Sequence, residues 1–159
     1  MRLIIVRHGK AHTHAPNGTD FDRELKARGR RQAAFLAGRL AGLTPPVAVI
    51  RSSRAVRARQ TAEGIAVHLG MPVDFDDRLL VDEPVSALLD LIGESRQVPS
   101  LVLVGHNPQL EHAVSMLTGR PPPVAGPLRT GEAVLLEVDP GEPLESGAEL
   151  DRFRLDDEA

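Results

Sequence analysis

The chain contains no cysteine, which excludes a disulfide framework, thiol catalysis and thiolate metal sites. Lysine is nearly absent too. Only Lys10 and Lys26 occur, and every other basic residue is arginine. Arginine presents a planar fork of donors suited to phosphate and carboxylate. The abundance of Ala, Pro and Gly points to a compositional bias that accounts for most of the arginines, but not for all of their positions. No apolar run is long enough for a membrane span or a signal-peptide core. The run behind Met1, Leu3-Ile4-Ile5-Val6, is far too short for either. A cytoplasmic location with no membrane partner is expected. A formal net charge of -3 gives no general affinity for nucleic acid.

The 159 residues match the size of one ordinary domain and can bury a core without cross-links or a structural metal. One domain over 1–159 is expected, with the acidic end at 156–159 frayed. Apolar runs alternate with helix-like stretches. Leu3 to Val6 reads as a buried strand. Ala33, Leu36, Leu40 and Leu43 recur at helical spacing over about 26–42. Pro45-Pro46 stops that helix, and Val47 to Ile50 reads as a second strand. Ser52 and Ser53 are candidate caps for a helix running to about Leu69, ended by Gly70 and Pro72. A weaker strand lies near Val73 to Phe75. Pro84 opens a helix with Leu88, Leu89 and Ile92 on its buried side. Leu101 to Val104 is the clearest strand, and Pro108 sits in the first turn of the helix after it. The stretch 121–127 reads as a loop. Ala133 to Val138 and Leu150 to Leu155 read as a closing antiparallel pair. This alternation predicts an α/β fold, a single-domain α/β/α sandwich with a mostly parallel central sheet and helices on both faces.

Ligands of such sheets bind beyond the carboxyl ends of the strands. The first strand ends in Arg7-His8-Gly9. The second feeds Ser53 and then Arg57. The clearest strand ends in Gly105-His106-Asn107-Pro108. Three strands thus bring arginine or histidine to one rim, with no carboxylate leading any of them. The set suits an anion, and a tetrahedral phosphoryl group is the natural candidate. Arg54, Arg57 and Arg59 also lie in the first turns of a helix, where the macrodipole disfavours cations by about 0.3–1 kcal/mol each. A bound anion would turn that local conflict into a site, because helix starts offer free N–H donors. Arg54 and Arg59 read as solvated.

Arg7-His8-Gly9 resembles the signature of the histidine phosphatase superfamily. Ser53 to Thr61 is similar to its second block, which places Arg57 on the family's second phosphate-binding arginine. Gly105-His106-Asn107-Pro108 resembles the third, with His106 as the second histidine. The short length and the block Arg23 to Gly29 are similar to the SixA-type phosphohistidine phosphatases of that superfamily. The resemblance implies that His8 attacks phosphorus and becomes phosphorylated. Arg7 and Arg57 would fork onto phosphoryl oxygens, and His106, as imidazolium, would donate once more. Gly9 lets the backbone turn sharply and a phosphate approach. Arg23 and Asn107 are further substrate-binding candidates. A backbone carbonyl in the following loop is expected to hold the imidazole of His8. The implied partner is a phosphorylated substrate, with a protein phosphohistidine favoured over small phosphoesters such as sugar phosphates or nucleotides. Asp82 and Glu83 are the candidate general acids. No cofactor and no metal is expected. Lys26 stands where the SixA-type block carries a threonine or serine cap, and lysine caps poorly.

Three other readings compete. A metal site from His8, His12, His14, His106 and His112 would have to accept a cation beside Arg7 and Arg57, which repel it. A phosphoglycerate mutase would continue the first block differently from Lys10-Ala11-His12-Thr13-His14 and would carry longer insertions. A non-catalytic phosphate-binding module could dispense with the nucleophile, yet both histidines are present.

Overall fold

The computed structural model describes residues 1–120 and 127–157. The expected loop at 121–127 therefore lies, except for Pro127, outside the described residues, as do positions 158 and 159 of the expected frayed end.

Strands β1 (Arg2–Arg7), β2 (Val49–Ser52), β3 (Asp74–Phe75), β4 (Ser100–Gly105), β5 (Ala133–Glu137) and β6 (Ala148–Phe153) build one sheet. Their spatial order is β3-β2-β4-β1-β5-β6. The first four pair in parallel, whereas β5 is antiparallel to both β1 and β6. Helices α1 (Ala27–Ala41) and α2 (Val56–Leu69) cover one face, and α3 (Val85–Glu94) and α4 (Gln109–Thr118) cover the other. The chain thus has the expected α/β class with a mixed, mostly parallel sheet.

Why β1 and β4 read as unbroken apolar runs follows from this layering. Leu3, Ile5, Leu101 and Leu103 pack with Leu88, Leu91, Leu110 and Leu117. Ile4, Val6, Val102 and Val104 pack on the opposite face with Leu36, Leu40, Ala62 and Ile65. Both faces are dry, so neither strand carries polar alternation. Each fully buried Leu or Ile contributes about 1.5–3 kcal/mol. α1 and α2 approach closely where Gly64 faces Ala33, since a Cβ on Gly64 would lie 3.0 Å from that of Ala33. Gly70 ends α2 in the left-handed region at φ 68°, its N–H donating to the Ala66 carbonyl. Lys26 begins α1 with no side-chain capping bond, as its chemistry predicts.

Two boundaries differ from the sequence reading. β2 lies two residues further on than expected, because Val49 to Ser52 pair with Leu101 to Val104. Ser52 and Ser53 consequently do not cap α2. Ala55 precedes its first residue, and the Ser53 hydroxyl accepts from the Ala55 N–H at 3.2 Å. β6 lies two residues earlier than expected, and its register against β5 shifts at Leu135/Leu136. The chain end is anchored as far as Asp157, whose carboxylate pairs with Arg28 at 2.8 Å and Arg154 at 2.7 Å. Among the described residues, no helix is long and apolar enough to cross a membrane.

Because β1, β2 and β4 are parallel, their carboxyl ends share one edge. The register sets Arg7 beside Gly105 and Ser52 beside Val104. The residues that follow these strand ends form the site.

Candidate active site

His8 is buried directly after β1, its N–H bonded to the Gly105 carbonyl at 3.2 Å. Its ring Nδ1 lies 2.8 Å from the carbonyl of Gly9. A carbonyl only accepts, so Nδ1 carries the proton and Nε2 keeps its lone pair. The holder is therefore the carbonyl of the next residue. Arg57 donates from Nε toward that lone pair at 3.3 Å. Burial pushes the imidazole down to about 4; the Gly9 carbonyl opposes this, and the guanidiniums of Arg57, Arg7 and Arg23 reinforce it. His8 is thus neutral at pH 7.

His106 follows β4, and its ring centroid lies 5.3 Å from that of His8 at an interplanar angle of 55°. Its Nε2 is 2.9 Å from the Ser53 hydroxyl, while Nδ1 is buried without a partner. Burial, followed by the competing imidazole of His8 and the guanidinium of Arg57, lowers this ring to about 3. His106 is neutral in this arrangement, and the expected imidazolium would require the charge of a bound phosphoryl group. Two guanidiniums and a second imidazole in a dry pocket disfavour another positive charge.

Arg7 donates from Nη1 to the Leu128 carbonyl at 3.0 Å, and its Nε is buried and unpaired. Asn107 donates to that same carbonyl at 2.8 Å and to Glu111 at 2.8 Å. Both N–H groups of its side-chain amide are thereby committed. Arg57 donates from Nη1 to the main-chain carbonyl of Asp20 at 2.8 Å and from Nη2 to its carboxylate at 3.0 Å. The other carboxylate oxygen of Asp20 takes Nε of Arg23 at 2.9 Å, and Arg23 reaches the His12 carbonyl at 2.8 Å. Burial lowers the pKa of both Arg7 and Arg57; Glu111 opposes it for Arg7 and Asp20 for Arg57.

Gly9 has a reason other than the expected approach of phosphate. A Cβ there would stand 2.7 Å from the main-chain oxygen of Gly29. Its N–H donates to Thr61 Oγ1 at 3.0 Å, and Thr61 in turn donates to the Arg57 carbonyl at 2.8 Å. One hydroxyl therefore couples the His8 loop to the turn bearing Arg57. Gln32, fully buried, accepts from the Lys10 N–H at 2.8 Å and donates to the Thr130 carbonyl at 3.1 Å. The sequence reading missed Asp20, Gln32, Ser53 and Thr61 in these roles. Thr61 was findable, standing four residues after Arg57 on the same helical face. Ser53 was too, as the first residue past β2 on the rim.

The model of the histidine phosphatase superfamily (branch 1) matches residues 3–80. An uncharacterised protein of Mycobacterium leprae is 31% identical over 121 residues, covering 72% of this chain and 71% of the relative. The chain belongs to the histidine phosphatase superfamily. Within it the chain is of the SixA type. A solved structure of a candidate phosphohistidine phosphatase SixA from Agrobacterium tumefaciens is 27% identical, covers 96% of each chain and superposes with a TM-score of 0.82. The protein histidine phosphatase SixA in complex with tungstate, 22% identical, shares the fold with a TM-score of 0.84 over 97% of each chain.

In this histidine phosphatase, Asp82 and Glu83 line a cavity of about 270 Å³ together with His106, Gln109 and His112. Of the two imidazoles, His106 lines this cavity and His8 does not. Arg54 and Arg59 lie on the surface, bound to Asp77 at 2.9 Å and Glu63 at 3.3 Å. His12 and His14 are exposed in the loop between β1 and α1. Among the described residues, no three His, Asp or Glu side chains gather as a metal site.

Proposed function

We propose that this single-domain chain is a phosphatase that takes a phosphoryl group onto Nε2 of His8 and then gives it to water. The observation that carries the reading is the imidazole of His8, locked by the Gly9 carbonyl at 2.8 Å with its free lone pair facing Arg57. In the first step the Nε2 lone pair attacks phosphorus. The bond to the leaving group breaks, and the leaving group departs with its electron pair and gains a proton. In the second step a water oxygen attacks phosphorus, the P–N bond to His8 breaks, and phosphate leaves.

Arg7 and Arg57 neutralise the phosphoryl oxygens with preorganised donors. His106 takes up a proton when the dianion arrives, because an opposite charge at close range reverses the pressure that keeps it neutral. Asn107 acts by holding Leu128, the carbonyl that also fixes Arg7. Asp82 or Glu83 supplies the leaving-group proton from the adjoining cavity. The guanidiniums provide the positive charge that such transfers need, so no metal or cofactor enters the reaction.

Protein phosphohistidine is the proposed substrate. The SixA relative from Agrobacterium tumefaciens supports it, since it shares 27% identity over nearly the whole chain. Imidazole also leaves readily once protonated, which asks little of a general acid. Absence of cysteine suits a reducing compartment, and a cytoplasmic location belongs to the proposal.

The test is trapping of labelled phosphoryl on the protein by an alkaline denaturing quench. Wild type should carry the label, and His8→Asn should carry none and turn nothing over while keeping its fold. Label on the variant would refute the nucleophile. Across a panel, kcat/KM should be highest for a phosphohistidine protein, and a higher value for a sugar phosphate or nucleotide would overturn the substrate.

A further inference from the structure

Asp20 sits in the loop between β1 and α1 and turns both carboxylate oxygens and its main-chain carbonyl on the guanidiniums of Arg57 and Arg23. Its carboxylate oxygens take Nη2 of Arg57 at 3.0 Å and Nε of Arg23 at 2.9 Å, and its main-chain carbonyl takes Nη1 of Arg57 at 2.8 Å. Each terminal nitrogen of Arg57 spends one N–H on Asp20, and neither has another partner among the described residues. These are the donors a phosphoryl group would need.

The two partners differ in freedom. The Arg57 side chain is 4% exposed and that of Asp20 is 58% exposed. The short 3-10 turn Asp20–Asp22 buries none of its residues. Its ties are polar: the Arg57 and Arg23 contacts, and Asn17 and Thr19 to Asp22 at 2.6 and 2.8 Å. The fork is therefore fixed, while the carboxylate in front of it is more than half exposed and held by polar contacts.

We infer that Asp20 is an internal competitor for the phosphoryl site, closing the Arg57 fork until a phosphoryl dianion displaces it and closing it again as phosphate departs. This rests on the reading of Arg57 as a phosphoryl ligand. A dianion with three oxygens outbids a single carboxylate for two guanidiniums. A site that is open only part of the time binds more weakly in proportion to the open fraction. Asp20 thus sets the affinity for substrate and for product phosphate together, and it keeps product from lingering.

The probe is inorganic phosphate, titrated by calorimetry into the full chain as wild type, Asp20→Asn, Asp20→Ala and Arg57→Ala. A latch closed about nine-tenths of the time predicts about tenfold tighter phosphate binding in both Asp20 variants, with a parallel fall in KM. Binding that depends on Arg57 but is unchanged or weakened in both Asp20 variants overturns the inference and leaves the function standing. Circular dichroism establishes that the variants are folded. Phosphate binding as tight in Arg57→Ala as in wild type overturns the functional reading, and the latch with it.

Discussion

Acidification should unfold this protein partly through the buried imidazole of His8. In the unfolded chain His8 titrates near its ordinary value of 6.5, and in the fold it is pushed down to about 4, first of all by burial. Between these values the unfolded chain holds the proton and the folded chain does not. Stability therefore falls as pH falls through that window and is not reduced by His8 above it. Going from pH 7 to about 4.5 costs about 2 kcal/mol from this one ring. His106, lowered to about 3, contributes in the same direction over a wider window, but the rings are neighbours and their protons are coupled. The assay is urea denaturation at both pH values on wild type and His8→Asn. The asparagine amide keeps an N–H for the Gly9 carbonyl and binds no proton. Carboxylates titrate alike in the two proteins and cancel in the comparison. Wild type should lose about 2 kcal/mol more than the variant on acidification. Equal losses would show that His8 is not a buried neutral imidazole, and the lone pair assigned to Nε2 would lose its basis.

Two further measurements separate residues that look alike in sequence. Arg57→Ala should lower kcat/KM by about 100-fold or more, while Arg54→Ala, whose guanidinium rests on exposed Asp77, should stay within about twofold. Equal losses would place the wrong arginine in the site. Ser53→Ala removes the hydroxyl from the buried Nε2 of His106 and should cost about 1–3 kcal/mol in urea melts. A cost under about 0.5 kcal/mol would show that the ring does not depend on Ser53.

The strand-end logic was legible because backbone pairing is local in its demands. Apolar runs such as Leu101 to Val104 announce a strand covered on both faces, and parallel strands carry whatever follows them to one rim. Arg7, His8 and His106 could be placed on that rim from sequence alone, and Arg57 from its position in the helix after β2. Legibility fails where a contact depends on loop geometry. Asp20 reads as one acidic residue among many until the chain folds its turn back against Arg57. Ser53 reads as a helix cap, because serine before a helix usually is one; only the pairing of β2 through Ser52 with Val104 moves it out of that role. The charge state of His106 is not legible in the sequence for a related reason. Residue types reveal that guanidiniums are near, but not how thoroughly water is excluded around them.

The close meeting of Gly9 with Gly29 has a consequence for how such an enzyme could diversify. Lys26 donates its N–H to the Lys10 carbonyl at 2.9 Å, His12 donates to Glu24 at 2.8 Å, and Ala11 bridges to Leu25. These contacts zip the excursion between them shut at its base, as a drawstring closes the neck of a bag. Within that excursion Asp20 and Arg23 stay tied to Arg57 and His12, so exposed positions ahead of them, such as His14 and Pro16, are the ones that can be exchanged without transmitting strain to the His8 imidazole. The surface of that tip can vary while the contacts at its base hold the imidazole and the guanidinium in place.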